Sequence, residues 1–242
     1  MILEILGRSN RPMTPTQINE ELGLPKQTIH RLCTTLIKEG FLIPDSNERK
    51  LRPSRRLRMM AGGILYSSKF HIARRQIMMN LAHDVKETVN FVVPEDEGMR
   101  YIDRVETDWV FQVQLPIGTH VPFHCTASGK TFLASLPSAR RRAMVESLKL
   151  DRLTSKTFTD SDGLMAELKK VARQGYAIDD EEFVEGMVAM AMPVLDENGR
   201  YLASLAFHGP IQRVTLENIL ELREPLANAV KQMSHTILAF ED

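Results

Sequence analysis

The chain has 242 residues, with 31 lysines and arginines balanced by 31 aspartates and glutamates, so its formal charge is zero. That length holds one large domain or two smaller ones, and two cysteines, Cys33 and Cys125, exclude a disulfide framework. No signal peptide and no apolar run near a membrane span is present, so the chain is expected in the cytoplasm with no membrane partner.

The zero charge conceals an asymmetry. Residues 1–75 carry 14 Lys/Arg against 6 Asp/Glu, a net of +8, and residues 76–242 carry 17 against 25, a net of −8. A basic segment joined to an acidic one points to a nucleic-acid-binding part coupled to a different part. Met1 to Leu6 reads as a short apolar helix. Thr14-Pro15-Thr16-Gln17 is a helix start: Thr14 as N-cap, Pro15 at the first helical position and Gln17 three residues after the cap. Ile18 and Leu22 point inward, and Gly23 ends that helix. A second helix follows to Gly40, with Ile29, Leu32, Leu36 and Ile37 as its apolar face and Cys33 as a small packing residue beside it.

Two helices joined by so short a turn have helix-turn-helix spacing. The second helix exposes Lys26, Gln27, Thr28, His30, Arg31 and Thr34, a donor-rich face with two fixed positive charges and no carboxylate. Such a face suits the major groove of double-stranded operator DNA, although a solvated surface helix has a similar composition. Phe41-Leu42-Ile43 and Arg49-Lys50-Leu51-Arg52 flank the turn Pro44 to Glu48, a hairpin placed as the wing of a winged helix. Arg49, Lys50 and Arg52 are expected on the phosphate backbone.

From Arg55 to Glu87 the composition is helical, with a break expected at Gly62-Gly63. Ile72, Ile77, Leu81 and Val85 form the predicted apolar stripe of the later helix. Met59, Met60, Ile64 and Leu65 exceed what an exposed connector needs and are read as a dimer contact. Strands are predicted at Val89–Val93, Met99–Val105 and Val110–Gln114, then a loop with Pro116, Gly118 and Pro122. Helices are predicted at Ser128–Ala134, Ser138–Leu148 and from Asp160/Ser161 to Gln174, and strands at Tyr176–Asp179, Met187–Leu195 and Tyr201–His208. A long helix is predicted from Thr215 to Phe240, kinked at Pro225. Hairpins with peripheral helices make an antiparallel sheet covered by helices, an α+β domain.

Several chemistries fail on spacing. Gly129-Lys130-Thr131 resembles the end of a phosphate loop, but His124 stands where its first glycine belongs. What survives is Ala127-Ser128-Gly129 opening a helix, whose free N–H groups favour an anion unless they serve only as a small-residue cap. His120, His124 and Cys125 lie in a Pro/Gly loop without metal-ligand geometry, so no metal and no cofactor is expected. The carboxylate run Asp179 to Glu182 has no nucleophile or base around it, and Gly-x-Ser-x-Gly is absent, so no catalytic residue is assigned. An enzyme using Cys125 or the 179–182 carboxylates is the alternative, and a ligand-independent DNA binder is a third reading.

These motifs in this order make the chain resemble the IclR family of bacterial transcription regulators. The resemblance rests on Leu24-Pro25-Lys26-x-Thr28-Ile29-His30-Arg31-Leu32 and Leu36-Ile37-x-x-Gly40-Phe41-Leu42. It continues through Thr126-Ala127-Ser128-Gly129-Lys130, Gly175-Tyr176-Ala177-x-Asp179-x-Glu181, Gly186, Ala191-x-Pro193-Val194 and Gly209-Pro210. It implies a winged helix-turn-helix at 1–54, a linker helix at 55–75 and a GAF-like effector domain at 76–242. It also implies a homodimer, or a tetramer built as a dimer of dimers, and a repressor governed by a small-molecule effector, a carboxylic or aromatic acid. The implied effector site is Ala127, Ser128, Gly129 and Asp179, with Ala189 at a frequent cysteine position and Ala206 and His208 at two frequent hydroxyl positions. Losing those small polar groups disfavours very small oxo-acids such as glyoxylate and favours a larger acid with an apolar body. A glycine frequent after the start of the returning wing strand is missing from Arg49-Lys50-Leu51-Arg52-Pro53.

Overall fold

A computed structural model describes residues 1–9, 11–45, 49–67, 69–110 and 115–239. The chain divides into two compact units, 1–71 and 72–242. The first contains α1 (Ile2–Arg8), α2 (Pro15–Leu22), α3 (Lys26–Lys38), the hairpin β1 (Leu42–Pro44) and β2 (Leu51–Pro53), and α4 (Arg55–Ser67). Thr14 closes a capping box on α2: its hydroxyl accepts the Gln17 N–H at 3.2 Å, and Gln17 Oε1 accepts the Thr14 N–H at 2.9 Å. Gly23 ends α2 at φ +62, where a side chain would be strained. The turn into α3 is fixed by Asn19, whose amide bonds both the N–H and the carbonyl of Leu24 at 3.0 and 2.7 Å. Met13 bridges Leu51 on the far side of β2, so the hairpin is anchored to the chain ahead of α2. Ile5, Leu6, Met13, Ile18, Ile29, Cys33, Leu42 and Leu51 form one buried cluster beneath α3.

The second unit begins at Ile72, near the start of α5 (Lys69–Val85). It holds β3 (Thr88–Pro94), β4 (Met99–Val105), β5 (His120–Val121), α6 (Ala127–Ser135), α7 (Ser138–Ser147) and α8 (Ser161–Gln174). Then come β6 (Ala177–Asp180), β7 (Met187–Leu195), β8 (Tyr201–Pro210) and α9 (Arg223–Ala239). Six strands make one sheet in the order β5-β4-β3-β8-β7-β6, every pair antiparallel. One face packs on α6, backed by α7 and α8, around Val92, Leu133, Val145, Leu164 and Leu168. The other face meets α9 and the Arg74 side chain of α5, which bonds the buried Asp103 of β4 at 3.0 and 3.1 Å. Both faces are apolar because each is covered by helices, so polar-out alternation along the strands is lost.

Several expectations needed correction. Leu32 is 38% exposed and Cys33 takes the inward position, because Ile29 and Cys33 are one helical turn apart while Leu32 lies at the edge of the stripe. Ile72 is 73% exposed, whereas Ile77, Leu81 and Val85 are buried as expected. The helix runs through Gly62-Gly63 without a break. Arg49 and Lys50 precede β2 instead of lying within it, and β5 formed in a stretch read as loop. The strand read at Val110–Gln114 has residues 111–114 outside the described residues, and Val110 is not in a strand. The last helix starts at Arg223, not Thr215. Thr215 and Asn218 close a separate turn through reciprocal bonds of 2.9 and 3.2 Å. Pro225 therefore sits in the first turn of α9, where its missing N–H breaks no helical bond.

Candidate functional site

Two constellations follow from this architecture. On the first unit, α3 presents Lys26, Gln27, His30, Arg31 and Thr34 to solvent, with Thr28 half-buried. Its N-cap is Pro25, which supplies no side-chain hydrogen bond, and its first turn carries no acidic residue. The N-terminal N–H groups of α3 and its positive dipole end are thus open to an anion. Thr34 donates its hydroxyl back to the His30 carbonyl at 2.9 Å, leaving its lone pairs outward. His30 and Thr34 share a cavity of about 450 Å³ with Thr16 and with Arg49 ahead of β2, so the helix and hairpin meet there. Lys50 is half-buried, and Arg52 lies 3.6 Å from Asp45 within the hairpin, which partly offsets its charge.

On the second unit, the sheet register brings the distant candidates together. Thr88, His208, Ala189 and Asp179 pair side by side across β3, β8, β7 and β6. The next row on the same face is Arg104, Asn90, Ala206, Ala191 and Ala177. Ala127 of α6 packs on Ala189, Ala191 and Ala206. The start of α6 is therefore seated over a patch of small side chains bordered by Asn90 and His208 on one side and Asp179 on the other. Thr126 caps α6 by accepting the Gly129 N–H at 3.1 Å. Gly129 is required there, since a Cβ would fall 2.3 Å from the Phe123 carbonyl oxygen. The Ala127 and Ser128 N–H groups and the Ser128 hydroxyl have no hydrogen-bond partner among the described residues.

Sequence reasoning missed Asn90, a polar residue inside Val89-Asn90-Phe91-Val92; that interruption of an apolar strand was the available signal. Its amide Nδ2 lies 2.9 Å from His208 Nδ1, and its Oδ1 is buried without a partner. Arg104, beside it on β4, is held by Glu106 at 2.9 Å and the Leu115 carbonyl at 2.8 Å.

The carboxylate run splits. Asp180 and Glu181 pair outward with Lys156 at 3.1 and 2.7 Å, whereas Asp179 and Glu182 are buried beneath α6. Asp179 accepts the Glu182 and Phe183 N–H groups at 2.8 and 3.3 Å, and Lys130, fully buried, bonds Glu182. Burial first, then the Glu182 charge, push the Asp179 carboxyl up to about 7, opposed by Lys130 and the two amides. Burial also raises the Cys125 thiol, reinforced by Asp179 and Glu182, so it stays protonated and cannot serve as a nucleophile. His120 is committed to Glu95 at 2.7 Å and His124 to the Asp151 carbonyl at 3.0 Å. Among the described residues of this constellation, no base stands beside a nucleophile.

Comparison with known proteins bears on both units. The model of the IclR helix-turn-helix domain matches residues 1–46, and the model of the bacterial transcriptional regulator IclR C-terminal domain matches residues 64–235. The chain belongs to the IclR family of transcriptional regulators. The "Probable transcriptional regulator SauR" of Cupriavidus necator is 34% identical over 97% of this chain and 93% of its own. The "Transcriptional repressor IclR" of Escherichia coli is 28% identical over 96% of this chain and 86% of its own. The crystal structure of a regulator from Rhodococcus sp. RHA1 is 25% identical, with a TM-score of 0.68 over 94% of this chain and 91% of that one. Family membership makes the chain a DNA-binding regulator and not an enzyme. Among the described residues no helix is long and apolar enough to cross a membrane.

Proposed function

We propose that this member is a cytoplasmic repressor whose hold on a duplex operator is set by an acid bound between α6 and the sheet. The observation that carries the reading is the convergence of Ala127, Ser128, Gly129, Asp179, Ala189, Ala206 and His208, separated by up to 81 positions, on one covered face with two unpaired backbone N–H groups. A helix N-terminus over alanines offers an anion two donors and an apolar floor, which suits a carboxylate on an apolar or aromatic body. Lys26, Gln27, Thr28, His30, Arg31 and Thr34 read the major groove, and Arg49, Lys50 and Arg52 neutralise phosphates.

The working form is a homodimer or a dimer of dimers, supported by the exposed Met59 and Met60 of α4. A monomer in sedimentation at micromolar concentration would remove this part. Ligand and operator communicate by linkage: the acid must favour one arrangement of paired DNA-binding units over another, with the helices over 55–85 as the connection. Isothermal titration tests the site. Benzoate or hexanoate is expected to bind and glyoxylate to bind poorly; tight glyoxylate binding without benzoate or hexanoate binding rejects the reading.

A further inference from the structure

Asn90 is only 1% exposed, and its amide is half used. His208 takes one end at 2.9 Å, and the other end has no partner. A buried amide atom without a partner has lost water and gained nothing, and folded proteins rarely leave one so. Asn90 faces the same side of the sheet as Ala206, its neighbour across the ladder, and Ala206 packs under Ala127. The unpaired amide atom and the unpaired N–H groups of α6 therefore border one patch, one to two strand spacings apart, or about 5–10 Å.

We propose that Asn90, held in place by His208, determines effector specificity by binding a hydroxyl on the acid whose carboxylate sits at the α6 N-terminus. The effector class is then a hydroxy acid with its two groups separated by a ring or a chain. This inference rests on the acid site proposed above. A hydroxyl fits better than an ammonium or a carbonyl, because the amide can be turned either way against a histidine nitrogen. One orientation leaves an acceptor free and the other a donor, and only a hydroxyl answers both. Adjacent hydroxyl and carboxylate groups, as in lactate, cannot span the gap. The side chains between the two groups are alanines, packed in one small-residue cluster with Ala127.

The test is isothermal titration of the full chain with matched pairs: benzoate against 4-hydroxybenzoate, and hexanoate against 6-hydroxyhexanoate. In at least one pair the hydroxylated member is expected to bind about 10- to 100-fold more tightly, the range for meeting a buried unpaired group. Asn90→Leu, alike in branching though larger and without the amide, is expected to bring that ratio to within about two-fold while the unhydroxylated acid still binds. Asn90→Ala repeats the measurement without over-filling the face, and thermal unfolding checks that each variant is folded. Equal binding within both pairs by the natural chain, as when water occupies the amide, overturns the inference and leaves the acid site standing. A preference that survives both substitutions overturns it as well. Failure of every acid to bind rejects the acid site and this inference together.

Discussion

Helices α3 and α6 start alike and end up in opposite environments. Neither has an acidic residue in its first turn, and both leave N-terminal N–H groups unspent. The start of α3 is exposed, without a side-chain cap, and surrounded by Lys26, Gln27, His30 and Arg31. The start of α6 is buried, capped by Thr126, and floored by alanines. In the proposed function the same dipole serves two partners. Outward, it adds to mobile cations that meet a polyanion and are screened by salt. Inward, it acts in a low dielectric where one small anion is enough and salt matters little.

The comparison breaks most visibly at Lys130. This lysine lies one turn into α6, fully buried, bonded to Glu182 and 3.9 Å from Glu167. Replacing it with Met leaves buried carboxylates without their cation, which costs about 3–5 kcal/mol in comparable buried pairs. Lys130→Met is expected to show that loss in urea unfolding at pH 8 and a smaller one at pH 5, where the carboxyls can take protons. An equal loss at both values would remove the electrostatic explanation. No residue at the start of α3 should approach this cost, because its charged groups are solvated.

Asp179 gives the next effect. Its folded value of about 7 lies above its ordinary value of 3.8, mainly through burial. Between those pH values the folded state keeps a proton that the unfolded chain has released, so stability falls as pH rises through that window. Above about 7 the whole penalty is in place. Asp179→Asn keeps an oxygen for the Glu182 and Phe183 N–H groups and carries no charge. Relative to the natural chain it should gain on the order of 1 kcal/mol per pH unit across the window. Parallel stability curves for the two proteins would show that Asp179 is not titrating there.

The two helix starts also differed in how readable they were. The frame around α3 was legible because its signals are local: a capping box at Thr14 and Gln17 and a left-handed Gly23. Most strands and helices of the second unit were legible for the same reason, down to Asp160 and Gly175 bounding α8, although β5 was not and Val110 is not in the strand read there. Periodicity alone misplaced Leu32 and Ile72, since it cannot say which edge of an apolar stripe meets the core. Pro225 was read as a kink because the separate turn that opens at Thr215 and Asn218 leads directly into α9, so its apolar residues continue the helical spacing. The proposed effector face was legible only in part. Ala127, Ser128 and Gly129 are contiguous, but their meeting with Asn90 depends on a β3–β8 pairing across more than a hundred residues. No local pattern encodes that register.

The smallest effects sharpen the outward half of the comparison. Gln27 and Lys50 are assigned different work: Gln27 lies in the first turn of α3, and Lys50 in the hairpin beside Arg49. A side chain that reads a base edge discriminates between sequences by about 1–3 kcal/mol, whereas one that neutralises a phosphate weakens all sequences together. With duplexes selected from a random library, Gln27→Ala should therefore redistribute preference among sites and leave the salt dependence nearly unchanged. Lys50→Ala should lower affinity evenly and flatten the slope of log K against log salt by up to about one unit. The half-buried position of Lys50 sets the fraction of that unit reached, since a side chain partly held by the protein neutralises a phosphate less completely. Fluorescence anisotropy at a series of salt concentrations measures both variants. An even loss from both substitutions, with the same change of slope, would mean that α3 and the hairpin share one backbone-binding role and that sequence is read elsewhere.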